Sequence, residues 1–244
     1  MNKIAEICCG SYDDALNAFK AGAKRIELNS ALYLGGLTPS LATLIKTKTN
    51  TDLEVICMVR NRGAGFNYND NEIKIMMDDA KILLENGADG IAFGFLNSDR
   101  SINTEATKQM IDLIHSYNKT AVFHRAIDVT YDYESSFKIL CELHCDRILT
   151  SGKHNKALDG IQHIRKMQDI YGKQIQILAG SGINESNAEY ILSNTGINQI
   201  HSSCKDYMID HTTGTSSVSY AYISENKYEI VSEEKVKLLL DSIK

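Results

Sequence analysis

Four segments of this chain begin alike: GAKRIEL at Gly22, GADGIAF at Gly87, HCDRILTS at His144 and GINQIHSS at Gly196. Each places a turn before a short apolar run, the form of a buried strand entered from a helix end. Between them lie four strands with a different entry, KIAEIC, DLEVICMVR, KTAVFHRA and KQIQILAG. A helical pattern follows every strand. The repeat is therefore two βα units, four times over. Eight such units in 244 residues fit a closed parallel (β/α)8 barrel, the TIM fold, at its usual length of about 250 residues. A doubly wound open sheet is the alternative. The odd–even repeat favours the barrel, whose inner layers draw on alternate strands.

The expected strands are Lys3–Cys8, Lys24–Asn29, Leu53–Arg60, Gly90–Phe93, Thr120–Arg125, Asp146–Thr150, Gln174–Leu178 and Gln199–Ser202. The expected helices are Tyr12–Lys20, Ser40–Lys48, Asn71–Glu85, Thr104–His115, Tyr133–Leu143, Lys156–Tyr171, Glu185–Ser193 and Glu233–Ile243. No linker or low-complexity stretch divides them, so residues 1–244 read as one domain. Lys205–Ile230 reads as one long irregular loop before the last helix, with a short pairing at Ser219–Ile223.

Barrel strands are covered on both faces, so a charge within one must pair or reach the mouth. Several charges sit where C-terminal strand ends are expected, the end at which barrel enzymes keep their sites. Glu6 and Cys8 share a face of the first strand, and Arg25, Glu27 and Asn29 share one on the second. Met58, Arg60 and Arg62 follow on the third, His124 and Arg125 with Asp128 on the fifth, Thr150-Ser151-Gly152 on the sixth, and His201-Ser202-Ser203 on the eighth. One reading is an ion-pair network that fills the barrel. The other is a ligand site: Glu27, His124, Asp128 and Glu6 for proton transfer, with Arg60, Arg62 and Arg125 for an anion. Gly180, Ser181 and Gly182 precede a helix, and Ser202 and Ser203 face them from the next strand end. That is a place for an anion among backbone N–H groups, or simply a tight turn. The loop Asn61–Asn69, with Phe66 and Tyr68, reads as a lid or a long surface loop.

The net charge of −5 excludes a generally basic nucleic-acid binder, and no apolar run approaches a membrane span. The N-terminal MNKIAEICCG lacks a signal-peptide core, which makes the cytoplasm the expected location. Six cysteines in so long a chain form no disulfide framework. Cys8, Cys9 and Cys204 lie near the expected mouth, where a soft metal could bind.

The sequence resembles the CutC family of copper-homeostasis proteins. The matching pieces are EIC at Glu6–Cys8, RIEL at Arg25–Leu28, GGLTPS at Gly35–Ser40, the Met58–Tyr68 loop, FHRAID at Phe123–Asp128, DRILTSG at Asp146–Gly152 and GSGI at Gly180–Ile183. They run in family order through about residue 204. The resemblance implies a cytosolic, commonly oligomeric TIM barrel linked to copper tolerance or copper(I) binding through cysteines near the mouth, here Cys8. Asn29 stands where many relatives have Cys after RIEL, which removes a thiolate, and Asn61 where the arginine loop usually has Pro. Two functions therefore compete: copper(I) handling, and an enzyme acting on an anionic or phosphorylated small molecule with Glu27 or His124 as acid and base. The carboxylates, arginines and histidine are hard or borderline groups and favour the second. An inert scaffold for protein partners fits least, because the polar groups gather at one mouth.

Overall fold

The computed structural model describes residues 3–244. Eight parallel strands close into a barrel in sequence order: β1 Ile4–Cys9, β2 Arg25–Leu28, β3 Glu54–Met58, β4 Gly90–Phe93, β5 Thr120–Phe123, β6 Arg147–Thr150, β7 Gln176–Gly180 and β8 Gln199–Ser202. Around them run α1 Tyr12–Lys20, α2 Leu41–Asn50, α3 Asp70–Glu85, α4 Thr104–Ser116, α5 Tyr133–Glu142, α6 Ile161–Tyr171, α7 Ala188–Thr195 and α8 Glu233–Ser242. This is the TIM fold expected from the repeat.

The helix starts follow from side-chain caps. Ser11, Ser40, Asn103, Asp132 and Ser232 each accept a backbone N–H in the first turn of a helix. Asn69 and Glu72 form a reciprocal capping box at α3. Each such cap is worth roughly 1 kcal/mol. Apolar helix faces then cover the outward side of the strands, with Ile7, Ile26, Val55, Ile91 and Ile148 sealed between the two layers. A separate apolar cluster, Ile56, Met58, Ala92, Val122, Leu149 and Leu178, fills the inside of the barrel along β3 to β7.

The clearest departure lies after β8. Lys205–Ile230 is not one irregular loop. Strand β9, Lys205–Ile209, pairs antiparallel with β10, Lys227–Val231. The ribbon is tied down at its root, where Asp14 Oδ1 accepts the Val231 N–H at 2.7 Å and Asn17 donates to the Val231 carbonyl at 3.0 Å. Instead of a pairing over Ser219–Ile223, one isolated bridge joins Gly214 and Ser219. Smaller departures cluster at the mouth. β5 stops at Phe123, because His124 caps a short 3-10 turn over Arg125–Val129. α6 and α7 begin at Ile161 and Ala188, later than the periodicity suggests. Before α6, the Ala157 N–H is taken by the Ser181 carbonyl of the β7 loop.

Candidate functional site

Residues alternate along a strand, so Glu6 and Cys8 of β1 enter the barrel one above the other. Arg25, Glu27 and Asn29 do the same from β2, and Gln199, His201 and Ser203 from β8. The register sets Cys8 beside Glu27, and Glu6 beside both Arg25 and His201. Two polar layers result.

The lower layer is an ion-pair network. Arg25 Nε lies 2.8 Å and Arg147 Nη1 3.7 Å from Glu6 Oε2, while His201 Nδ1 lies 2.9 Å from Glu6 Oε1. Gln199 accepts from Arg25 at 2.6 Å and donates to Gln176 at 2.9 Å. Burial pushes the Glu6 carboxyl up, but the His201 hydrogen bond and the charges of Arg25, His201 and Arg147 outweigh it, leaving a pKa of about 2.

The upper layer faces a cavity of about 270 Å³ at the C-terminal mouth. Glu27 Oε2 accepts from Asn29 at 2.9 Å, receives the Cys8 thiol at 3.9 Å and faces His201 Nε2 at 3.9 Å. Burial, reinforced by the charge of Glu6, raises the Glu27 pKa against the pull of His201 and Asn29. Glu27 is thus the easier of the two carboxyls to protonate. Burial also lifts the Cys8 thiol to about 11. His201 loses some basicity to burial, but Glu27, Cys8 and Glu6 together carry its pKa well above the ordinary value.

Across the cavity stands His124. Its Nδ1 accepts the Ala126 N–H at 3.2 Å, which places the proton of the neutral ring on Nε2. Burial and the charge of Arg60 hold its pKa down at about 3. Gly94 makes room for the ring, since a Cβ there would lie 2.5 Å from His124 Cε1. Phe66 from the 61–69 loop packs on His124, ring centroids 5.0 Å apart.

The candidate residues divide. Cys8, Glu27, Arg60, His124, Arg125 and Ser203 line the cavity. Glu6 lies beneath it, as the partner of His201. Asp128 is spent on the β6 loop: Thr150, Ser151 and Lys153 donate to it and Arg125 pairs with it at 3.0 Å. Arg62 turns away to pair with Glu72 of the α3 cap at 2.5 Å. Gly180, Ser181, Gly182 and Ser202 are outside the cavity lining. Ser181 donates to the Asn155 carbonyl, Ser202 donates to the Ile183 carbonyl, and a Cβ on Gly180 would strike Leu149. With α7 starting only at Ala188, the glycine loop does not open the helix directly. His201, expected at the end of the eighth strand but given no role there, is drawn into the site by the alternation Gln199–His201–Ser203. Lys205, Glu229 and Ile230 of the ribbon also wall the cavity, and nothing in the expected loop marked them.

Cys8, Glu27 and His201 offer three ligand atoms within 4.8 Å of one another. The sequence pattern of the CutC family matches residues 3–206. The chain belongs to the CutC family. It is 44% identical over 242 residues to a CutC family protein of Treponema denticola, covering 98% of each chain. It is 34% identical over 235 residues to the copper homeostasis protein cutC homolog of Caenorhabditis elegans, covering 96% of this chain and 92% of that one. The crystal structure of a CutC from Streptococcus agalactiae superposes with a TM-score of 0.77 at 32% identity, over 82% of this chain and 98% of that one. Several aldolases share the fold at far lower identity, 12% for a KDPGal structure with a TM-score of 0.56. The CutC family pattern ends at residue 206, within β9, while the Treponema denticola relative aligns over 98% of the chain and so spans the ribbon that supplies Lys205, Glu229 and Ile230 to the cavity wall.

Proposed function

We propose that this CutC-family chain handles copper, binding copper(I) at the mouth through Cys8 Sγ and His201 Nε2 with Glu27 beside them. The observation that carries the reading is the convergence of these three buried or half-buried side chains within 4.8 Å. The donor set fits in part. A thiolate selects copper(I), imidazole accepts it, and a carboxylate adds little. Glu6 holds the other nitrogen of His201, the outer-shell arrangement that orients a ligating imidazole. Asn29 occupies the place of a second thiol, and its Nδ2 lies 3.6 Å from Cys8 Sγ. One sulfur predicts binding weaker than at a two-thiolate site. X-ray absorption at the copper edge of the loaded protein tests the set. One sulfur with nitrogen or oxygen neighbours is expected; two sulfurs, or none, would overturn it. Members of this family are named for copper homeostasis, and the same reading places the chain in the cytoplasm as a homo-oligomer. Light scattering of the purified chain tests the assembly.

A second reading is favoured by the cavity itself. Its 270 Å³ exceeds what one ion needs, and Arg60, Arg125 and His124 border it. There the chain would be an enzyme on a small anionic molecule, with Glu27 as the proton-transfer group, since its neighbourhood raises its pKa while that of Glu6 is depressed. Turnover lost in Glu27→Gln with the fold intact is the expected result.

A further inference from the structure

Arg60 is a buried cation without a carboxylate. Its Nη1 donates to the carbonyls of Leu34 and Gly36 at 3.1 and 3.2 Å, and its Nη2 to that of Ala64 at 2.5 Å. All three acceptors are neutral. Arg25, Arg62, Arg125 and Arg147 each have a carboxylate oxygen within 4 Å. Among the described residues Arg60 has no such partner, although only 5% of it is exposed. A buried charge left uncompensated is costly, and folds normally pair it.

A second observation lies on the same wall. Arg60 Nε and His124 Nε2 are both buried and have no hydrogen-bond partner. The tautomer set by Ala126 makes His124 Nε2 a donor. Phe66 bridges the two, its ring 5.0 Å from the Arg60 guanidinium and 5.0 Å from the imidazole. So one N–H of a guanidinium and one of a neutral imidazole, Arg60 Nε and His124 Nε2, lack acceptors, and both side chains border one cavity. The rest of its wall includes Leu32, Met58, Leu149 and Ile230. The volume of about 270 Å³ has room for more than a single water or ion.

We infer that the cavity takes a small organic oxyanion, with its charged oxygens between Arg60 and His124 and its apolar body against Met58 and Leu149. The oxyanion answers both orphan donors and the uncompensated charge at once. The inference rests on the reading of the cavity as a ligand site and not on the copper assignment. It also moves the anion away from the Gly180–Gly182 loop. Carboxylate and phosphate share the recognised chemistry, and the test separates them.

The test is thermal-shift and calorimetric titration of the metal-free full chain with isovalerate, inorganic phosphate and, as the uncharged control, isovaleramide. Isovalerate or phosphate should raise Tm saturably, and the amide should not. Isovalerate alone points to a carboxylate, phosphate alone to a phosphate group. His124→Leu should weaken binding about tenfold or more, the loss expected for a hydrogen bond to a charged group. Arg60→Lys, which keeps the charge but loses the fork, should also weaken it and covers the case in which His124→Leu fails to fold. Equal binding of the amide, no shift with either anion, or binding unchanged in both variants would overturn the inference. Anion binding without turnover of any anion would leave it standing and remove only the enzyme reading.

Discussion

The two halves of the barrel interior are built in opposite ways. Along β3 to β7 the inward side chains Ile56, Met58, Ala92, Val122, Leu149 and Leu178 form a dry cluster. Along β8, β1 and β2 the same inward positions carry Gln199, His201, Glu6, Cys8, Arg25, Glu27 and Asn29, nearly all buried. Arg147 crosses from β6 to join them through Glu6. The apolar half stabilises by burial and packing alone. The polar half gains little net stability from its charges, because their desolvation offsets most of their attraction. What it provides is a fixed set of groups at the mouth. Glu6 pairs with Arg25, Arg147 and His201 Nδ1 below, and Cys8, Glu27 and the other His201 nitrogen gather above it on the cavity side. The site lies on the seam between the halves, with Met58 and Leu149 as its apolar wall.

Removing one partner from the polar half should have the largest effect. Glu6→Gln leaves Arg25 buried without a carboxylate and Arg147 with only Glu54 at 4.0 Å, at a cost of about 3–5 kcal/mol. Urea denaturation measures it, and a loss below about 1 kcal/mol would show that the network is not charge-balanced in this way. Leu178→Ala in the apolar half should cost about 2–5 kcal/mol by cavity formation. It should leave copper binding intact; if both properties fall together, the halves are not separable.

The polar half also responds to pH. Glu6 titrates near 2 in the fold, against an ordinary value of 4.5. A depressed carboxylate stabilises above its unfolded value and loses that contribution as pH falls from 4.5 towards 2. His201 is raised above 6.5, so its contribution is complete below 6.5 and fades as pH rises through the folded value. His124, depressed to about 3, acts in the sense of Glu6: stability falls as pH drops from 6.5 to 3, because the unfolded ring takes a proton the folded ring refuses. Melting temperature against pH should therefore show an acid limb that Glu6→Gln flattens. A limb identical in the variant would contradict the assignment. The smallest effect belongs outside both halves. Arg62→Ala breaks a half-buried pair with Glu72 at the protein surface and should change stability by about 1 kcal/mol or less, with no change in anion or copper binding.

The barrel was legible because strand and helix periods alternate regularly and the even strands share one entry pattern. Glu27, Arg60 and His124 could be placed at the mouth because barrel strands run parallel and charges on them have one outlet. Asp128 and Arg62 could not be separated from the site, since their partners, the Ser151 N–H and the Glu72 carboxylate, are chosen by loop geometry rather than by strand alternation. The ribbon escaped for a similar reason. KDYMI and KYEIV are separated by 17 intervening residues, irregular but for a 3-10 turn at Ser224–Asn226, so no tight-turn signal announces their pairing. His201 was visible as a strand-end histidine. Only the closure of β8 on β1 shows that it meets Glu6 and Cys8.

A copper(I) competition titration of the wild-type chain beside Cys8→Ser and Asn29→Cys tests the copper assignment most directly. One copper(I) per chain is expected, lost in Cys8→Ser and bound more tightly in Asn29→Cys, where a second thiol takes the place of an amide 3.6 Å from Cys8 Sγ. Copper(I) binding that neither substitution changes, or none at all in the wild type, would contradict it.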